Sequence, residues 1–552
     1  MLALGCRQAK VGSPQAPQRV QNHAAAPQEQ GNRVTFQRSA ILITVSALCV
    51  GTAMGDADGG RAALIARLGA SAPTGAGVYA VQVEATMTNG GSDYAPDLSD
   101  PEFAGKAVVA VNAPSSNSWH ATNVAKWLYG SSTAMAPGIT NAWVYNVNSW
   151  LFDTLNVGAG TTLPAASPNS LVRVMNHSWI ASFGPGNEGY DREAIRRLDY
   201  QMTRDGMLAV CGENNGAGSA RYPMMGDCFN GLSVGRLDLQ HSAGDTASAS
   251  DTPGRMKPDI IAPGQFTSFA TPVVGSAAAL LFETLRGSAY ASLSNTQRAQ
   301  ITKACLVGGA DRTLDWSNDA PQSGASRGMA TKPLDVMRGS GELNVDRAHR
   351  IVTATRVNGT SVSTNASPAE SMGWGTATLT ANGKTYWRFR LNQVAPSFDF
   401  TVVWPRSVAS NLASYTFANM NLRLQRSLSG GSEFIPLEGD AGLATFESGN
   451  VASTSSVDNI ETIHLVNLQP GEYTLQVSRS DTASGSVVAY AAWAVDSAGF
   501  GPEGDVDASG MVDFGDVALA LTSFGTDDPA ADIDVNRVVD FGDVALILLN
   551  FG

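Results

Sequence analysis

A chain of 552 residues is too long for one ordinary core, so two or three domains joined by linkers are expected. Only 15% of the residues are charged, Gly, Ala, Ser and Thr are abundant, and the formal net charge is -13. Phosphate binding needs clustered Lys and Arg, and no basic run occurs, so nucleic acid is excluded as a partner.

In chain order, the first signal is the apolar run from Ala40 to Ala53, which follows Arg38 and ends in small residues. It is shorter than the roughly 20 apolar residues of a membrane span and reads as the h-region of a signal peptide. Residues 1–57 are therefore expected to be a leader, cleaved near Gly55 or Ala57, with the true start near Val34 because the Gln-, Pro- and Ala-rich stretch before it suits no signal sequence. The mature chain is expected to lack a membrane span and to act as a secreted or cell-surface protein. The cysteines Cys6, Cys49, Cys211, Cys228 and Cys305 match no metal or redox spacing. Cys211 and Cys228 flank a Gly/Asn-rich loop, and a bridge and a pair of buried thiols are both open to them.

Residues 74–355 alternate short β-branched runs with longer helical ones, the pattern of a parallel sheet with helices packed on it. Val78-Tyr-Ala-Val-Gln-Val and Met207-Leu-Ala-Val-Cys predict strands; Asp191 to Met202 and Pro272 to Leu285 predict helices. Residues 356–372, built around the aperiodic stretch Asn358 to Ser371, predict a linker. From 373 to 496 the pattern becomes alternation, as in Thr385-Tyr-Trp-Arg-Phe-Arg-Leu and Glu472-Tyr-Thr-Leu-Gln-Val, which predicts a β-sandwich or jelly roll. A second linker over 497–503 leads to a tail over 504–552.

Within the first domain, Lys257-Pro-Asp-Ile-Ile-Ala-Pro-Gly264 precedes Phe266-Thr-Ser-Phe-Ala-Thr-Pro-Val-Val-Gly275 and an Ala/Leu-rich helix. A serine at a helix N-terminus sits in a positive dipole field, beside backbone N–H groups able to hold an oxyanion. The segment resembles the nucleophile segment of the subtilases, Gly-Thr-Ser-Met-Ala-Ser/Thr-Pro, and the resemblance makes Ser268 the nucleophile. A hydroxyl needs a base. Ser118-Trp-His-Ala-Thr-Asn-Val-Ala125 is similar to the family's His-Gly-Thr-His-Val-Ala helix start, which points to His120, with Met135-Ala-Pro-Gly-Ile following in register. His177 in Asn176-His-Ser-Trp179 is the rival, placed where the family lines its substrate. Cys211-Gly-Glu-Asn-Asn-Gly216 resembles the family's Ala-Ala-Gly-Asn-x-Gly, which gives Asn214 the oxyanion role.

The triad acid is expected to be Glu84, because Tyr79-Ala-Val-Gln-Val-Glu-Ala85 stands where the family has Val-Ile-Asp-Thr-Gly; Asp93 and Asp97 are the alternatives. Phe266 replaces the family's Gly, Gln265 alone remains of a usual insertion, and little chain precedes the first catalytic strand for a folding-assistant propeptide. The resemblance implies a serine endopeptidase acting on polypeptides without a catalytic cofactor. The competing expectation is a catalytically inactive subtilase-fold protein of a surface or matrix.

The tail repeats itself: Val512-Asp-Phe-Gly-Asp-Val-Ala-Leu returns as Val539-Asp-Phe-Gly-Asp-Val-Ala-Leu. Asp505, Asp507, Ser509, Asp513 and Asp516, then Asp532, Asp534, Asn536, Asp540 and Asp543, fall on positions 1, 3, 5, 9 and 12 of an EF-hand-type loop, with the carbonyls of Met511 and Val538 at position 7. Two such half-repeats resemble a type I dockerin. The resemblance implies Ca2+ as a structural ion and a cohesin-type receptor as partner, with docking onto the chain's own β-domain as the alternative. Arg537 stands where the first loop has Gly510, which predicts a weaker second site. The expected architecture is thus an α/β subtilisin-like catalytic domain with helices on both faces of a parallel sheet, an all-β sandwich or jelly roll, and a small α-helical dockerin-like calcium module.

Overall fold

The computed structural model describes residues 58–87, 92–366, 368–496 and, within 504–552, all but 508, 510, 529, 535 and 537. The leader and the 497–503 linker lie outside the described residues, as do Gly510 and Arg537. No described helix is long and apolar enough to cross a membrane.

The first domain is built on seven parallel strands: β1 Tyr79–Glu84, β2 Ala107–Ala110, β3 Asn141–Asn146, β4 Val172–His177, β5 Leu208–Gly212, β6 Leu232–Arg236 and β7 Ile260–Ala262. Their order is β2-β3-β1-β4-β5-β6-β7. A strand in the middle of a parallel sheet is covered on both faces and must be apolar throughout. β1, β4 and β5 are buried almost from end to end; the polar exceptions are Gln82 and Glu84 on β1 and Arg173, Asn176 and His177 on β4. The longer helices are α1 Arg61–Leu68, α2 Trp119–Tyr129, α3 Glu188–Asp205, α4 Thr267–Thr284, α5 Asn295–Gly308 and α6 Val345–Thr353.

Helix α4 is hydrophobic all round and runs through the core between α2 and the sheet. Gly275 permits the close approach: a Cβ there would lie 2.9 Å from Leu128 Cδ1 and 3.1 Å from Val210 Cγ2. This helix begins at Thr267, not at Pro272 as the sequence predicted. Pro272 lacks an N–H and cannot serve the carbonyl four residues back, that of Ser268, but the Ser178 hydroxyl donates to that carbonyl instead at 2.8 Å.

The second domain is a sandwich of two sheets, antiparallel except where Met329–Ala330 pairs parallel with Ala452–Ser453. One pairs Met372–Leu379, Val487–Asp496, Ala395–Val403 and Ile460–Leu468; the other includes Met420–Leu428, Gly471–Arg479 and Lys384–Leu391. Alternate residues of Lys384–Leu391 are buried, as the period-2 pattern requires. Their aromatic side chains meet those of the facing sheet, where Phe400 and Trp493 stack at 5.8 Å. The 358–371 stretch runs along the sandwich edge, where Ala369 N–H donates to Arg388 O at 2.7 Å and Tyr386 N–H to Thr360 O at 2.8 Å. The two domains share a core: Trp374, Val403, Ile460 and Tyr490 belong to the same apolar cluster as α4 and α5. Arg406, fully buried, reaches from the sandwich to Asp199 (2.8 Å) on α3 and to Asp251 (2.7 Å).

The tail holds helices α7 Phe514–Thr522 and α8 Phe541–Leu549. Each opens on a capping box, Asp513 with Asp516 and Asp540 with Asp543. A core of eight small aliphatic side chains, including Val512, Ala520, Val539 and Ile547, joins the repeats. The tail touches the sandwich through Arg390 Nη1 donating to Ile533 O (2.9 Å) and Asn392 Nδ2 donating to Asp505 O (2.6 Å).

Candidate active site

The candidate groups converge where strand ends meet helix starts. β1 delivers Glu84 at its C-terminal end, fully buried. Helix α2, capped by Ser118 accepting from Ala121 N–H at 3.2 Å, presents His120 in its first turn. Glu84 Oε2 lies 2.8 Å from His120 Nδ1. Burial opposes charge on the imidazole, but the Glu84 charge and hydrogen bond outweigh it and raise the His120 pKa above the ordinary 6.5. The other carboxylate oxygen, Oε1, accepts from Gln82 Nε2 at 2.9 Å. Asp97, one of the alternative acids, accepts instead from the N–H and the hydroxyl of Ser99.

Ser268 stands in the first turn of α4, half-buried, and lines the same cavity as His120. The first turn of a helix leaves its N–H groups without intrahelical acceptors. Asn215 engages one of them, its Oδ1 accepting Thr267 N–H at 2.9 Å and the Thr267 hydroxyl at 3.2 Å. Asn214 also lines the cavity; its Nδ2 donates to Ala220 O at 2.9 Å and keeps a second hydrogen. Trp119, Trp179 and Phe266 supply apolar wall. Phe266, in extended backbone ahead of α4, places its ring 5.7 Å from that of Phe269.

His177 is not brought to Ser268. It is fully buried, with ring centroids 4.6 Å from Trp150 and 5.7 Å from Trp179, and burial lowers its pKa to about 3, so it is neutral. Cys211 and Cys228 are unbridged buried thiols, and burial raises the Cys211 pKa. Three supporting side chains escaped the sequence reading: Gln82 behind Glu84, Ser178 on the Ser268 carbonyl, and Asn215 on Thr267. Only Ser178 had a local signal, since Pro272 four residues after Ser268 implies a carbonyl in need of a donor.

In the tail, carboxylate oxygens of Asp505, Asp507 and Asp516 lie within 4.8 Å of one another, as do those of Asp532, Asp534 and Asp543. These hard oxygens fit calcium, which takes six to eight such donors. The remaining predicted ligands are near but otherwise engaged. Asp513 and Asp540 cap their helices through Gly515 and Gly542 N–H; Ser509 Oγ lies 3.2 Å from Met511 O; Asn536 Oδ1 accepts Val538 N–H at 2.9 Å.

A comparison with curated protein sequences finds no match. Among solved structures, a protease from Pseudoalteromonas arctica is 17% identical, with 51% of this chain and 92% of that chain covered and a TM-score of 0.30. Fervidolysin from Fervidobacterium pennivorans, a keratinolytic enzyme related to subtilisin, is 12% identical, with 67% and 66% covered and a TM-score of 0.32. Pseudomonas sedolisin, a serine-carboxyl proteinase, is 13% identical, with 55% and 100% covered and a TM-score of 0.34. Residues 99–328 match the Subtilase family (Peptidase_S8), a span that contains His120, Asn214 and Ser268 and begins after Glu84. The chain therefore carries a subtilase-family domain over residues 99–328.

Proposed function

We propose that the protein is a secreted serine endopeptidase, with Ser268 as nucleophile, His120 as general base, Glu84 as the acid that orients it, and Asn214 as oxyanion donor. The observation that carries the reading is the 2.8 Å contact between Glu84 Oε2 and His120 Nδ1 in the cavity that Ser268 lines. With Nδ1–H held by Glu84, the other ring nitrogen is an unprotonated acceptor for the serine proton. The Ser268 oxygen then attacks a peptide carbonyl, and the oxyanion meets the helix N-terminus and the Asn214 amide. The imidazolium, stabilised by Glu84, returns its proton to the leaving amine; water, deprotonated by His120, releases the acyl group.

For the tail we propose two structural calcium ions, one held by Asp505, Asp507, Ser509, Met511 O, Asp513 and Asp516, the other by Asp532, Asp534, Asn536, Val538 O, Asp540 and Asp543. Bound calcium would supply charge neutralisation and cross-linking in a segment with little core. A dockerin-like module of this kind would engage a cohesin-type receptor.

The test of the peptidase reading is hydrolysis of an unstructured protein substrate by the secreted chain and by Ser268→Ala. Cleavage by the first alone supports it. No cleavage by either, with both folded, favours the inactive subtilase-fold reading, for which Phe266 in the cavity wall is the specific motive.

A further inference from the structure

Gln82 is out of place. It lies in the middle of a central strand, 0% exposed, where an apolar side chain would cost less. Alternation along β1 sends Gln82 and Glu84 to the same face, toward α2. There every polar atom of the Gln82 amide is engaged: Nε2 donates to Glu84 Oε1 (2.9 Å) and to Ala121 O (2.9 Å), and Oε1 accepts the Tyr129 hydroxyl (2.7 Å). A flipped amide would set its oxygen against a carboxylate and a carbonyl, so the acceptors force the orientation.

We propose that Gln82 and Tyr129 are positioning residues of the catalytic acid, a buried relay from the Tyr129 hydroxyl through the Gln82 amide that holds Glu84 in place beside His120. This rests on the peptidase reading. A glutamate has one more rotatable bond than an aspartate, and anchoring its second oxygen removes that freedom before the reaction. Ala121 is the residue after His120, so one amide fixes the acid to the helix that carries the base. Of the titratable groups around the pair, Tyr129 and His177 stay in one state across the working range. Burial, then the Glu84 charge, holds Tyr129 protonated; burial keeps His177, across from Val83 on β4, neutral; burial raises Glu213 in the cavity wall, where Arg221 pairs with it at 2.9 Å.

The experiment uses the full chain, after wild type has been shown to react with a fluorophosphonate probe. In Gln82→Met, kcat should fall about tenfold with KM little changed. The acid limb of kcat/KM should move to higher pH, because a carboxylate that has lost a donor attracts the imidazolium more strongly. Tyr129→Phe keeps the ring and should move the limb the same way by less; the double variant should match Gln82→Met, since the hydroxyl acts only through the amide. A folded Gln82→Met with wild-type kcat and an unmoved limb overturns the relay, as does a loss of thermal stability alone. If Gln82→Met does not fold, Tyr129→Phe decides by the same limb. A wild type inert to the probe instead removes the peptidase reading, and the relay with it.

Discussion

The cavity around Ser268 and the paired loops of the tail both gather polar groups, but on different foundations. Glu84 ends a buried central strand, His120 and Ser268 open helices, and α4 is enclosed by α2 and the sheet. The tail carries its carboxylates on turns ahead of two short helices and in the first turn of each, with Asp505, Asp516, Asp532 and Asp543 buried beside a core of eight small aliphatic side chains. Chemistry that needs atoms fixed within a fraction of an ångström is set on regular, buried elements. Metal binding tolerates turns because the ion itself draws the ligands together.

That contrast is breakable at either end. The largest effect is expected at Glu84: Glu84→Gln should retain the fold and lower kcat by about 10⁴, as an imidazole without its acid takes the wrong tautomer. Full activity in that variant would transfer the role to Asp93 or Asp97. Next, Asn214→Ala should cost about 10²–10³ in kcat with KM nearly unchanged. If Asn215→Ala costs more, the oxyanion donor is the neighbour that already engages Thr267. Neither variant should alter the response of the tail to calcium.

At the other end, chelation of the full chain should abolish amide hydrogen-exchange protection in the described part of 504–552 while leaving turnover in place. Equal protection with and without chelator would show that the small apolar core suffices and the carboxylates bind nothing. The smallest effect is a pH midpoint. Because Glu84 outweighs burial and raises the His120 pKa, kcat/KM should fall on acidification through a single ionisation above pH 6.5. The sign follows from the base being active only when unprotonated. In Glu84→Gln the residual activity should show that midpoint at lower pH, with burial left unopposed.

Local patterns carried most of what was legible. Phe266-Thr-Ser-Phe-Ala-Thr-Pro and the doubled Asp-Phe-Gly-Asp need only a few consecutive residues each, and the β1 run keeps a carboxylate, one methylene longer, at Glu84 where its family counterpart has an aspartate. Long-range partners were not legible. Tyr129 and Gln82 are 47 residues apart and meet only once α2 packs against β1. Arg406 and Asp199 are 207 apart, and their buried pair across the domain boundary has no sequence pattern of its own. The 358–371 stretch read as a linker because it lacks alternation, yet an edge segment needs only backbone N–H and C=O groups to join a sheet.

The central claim is that Ser268 is an activated nucleophile, and intact-mass spectrometry after fluorophosphonate treatment tests it most directly. The account predicts one adduct per folded wild-type chain, located on the peptide containing Ser268 and absent from Ser268→Ala. No adduct on the folded wild type, or an adduct that persists in Ser268→Ala, would contradict it.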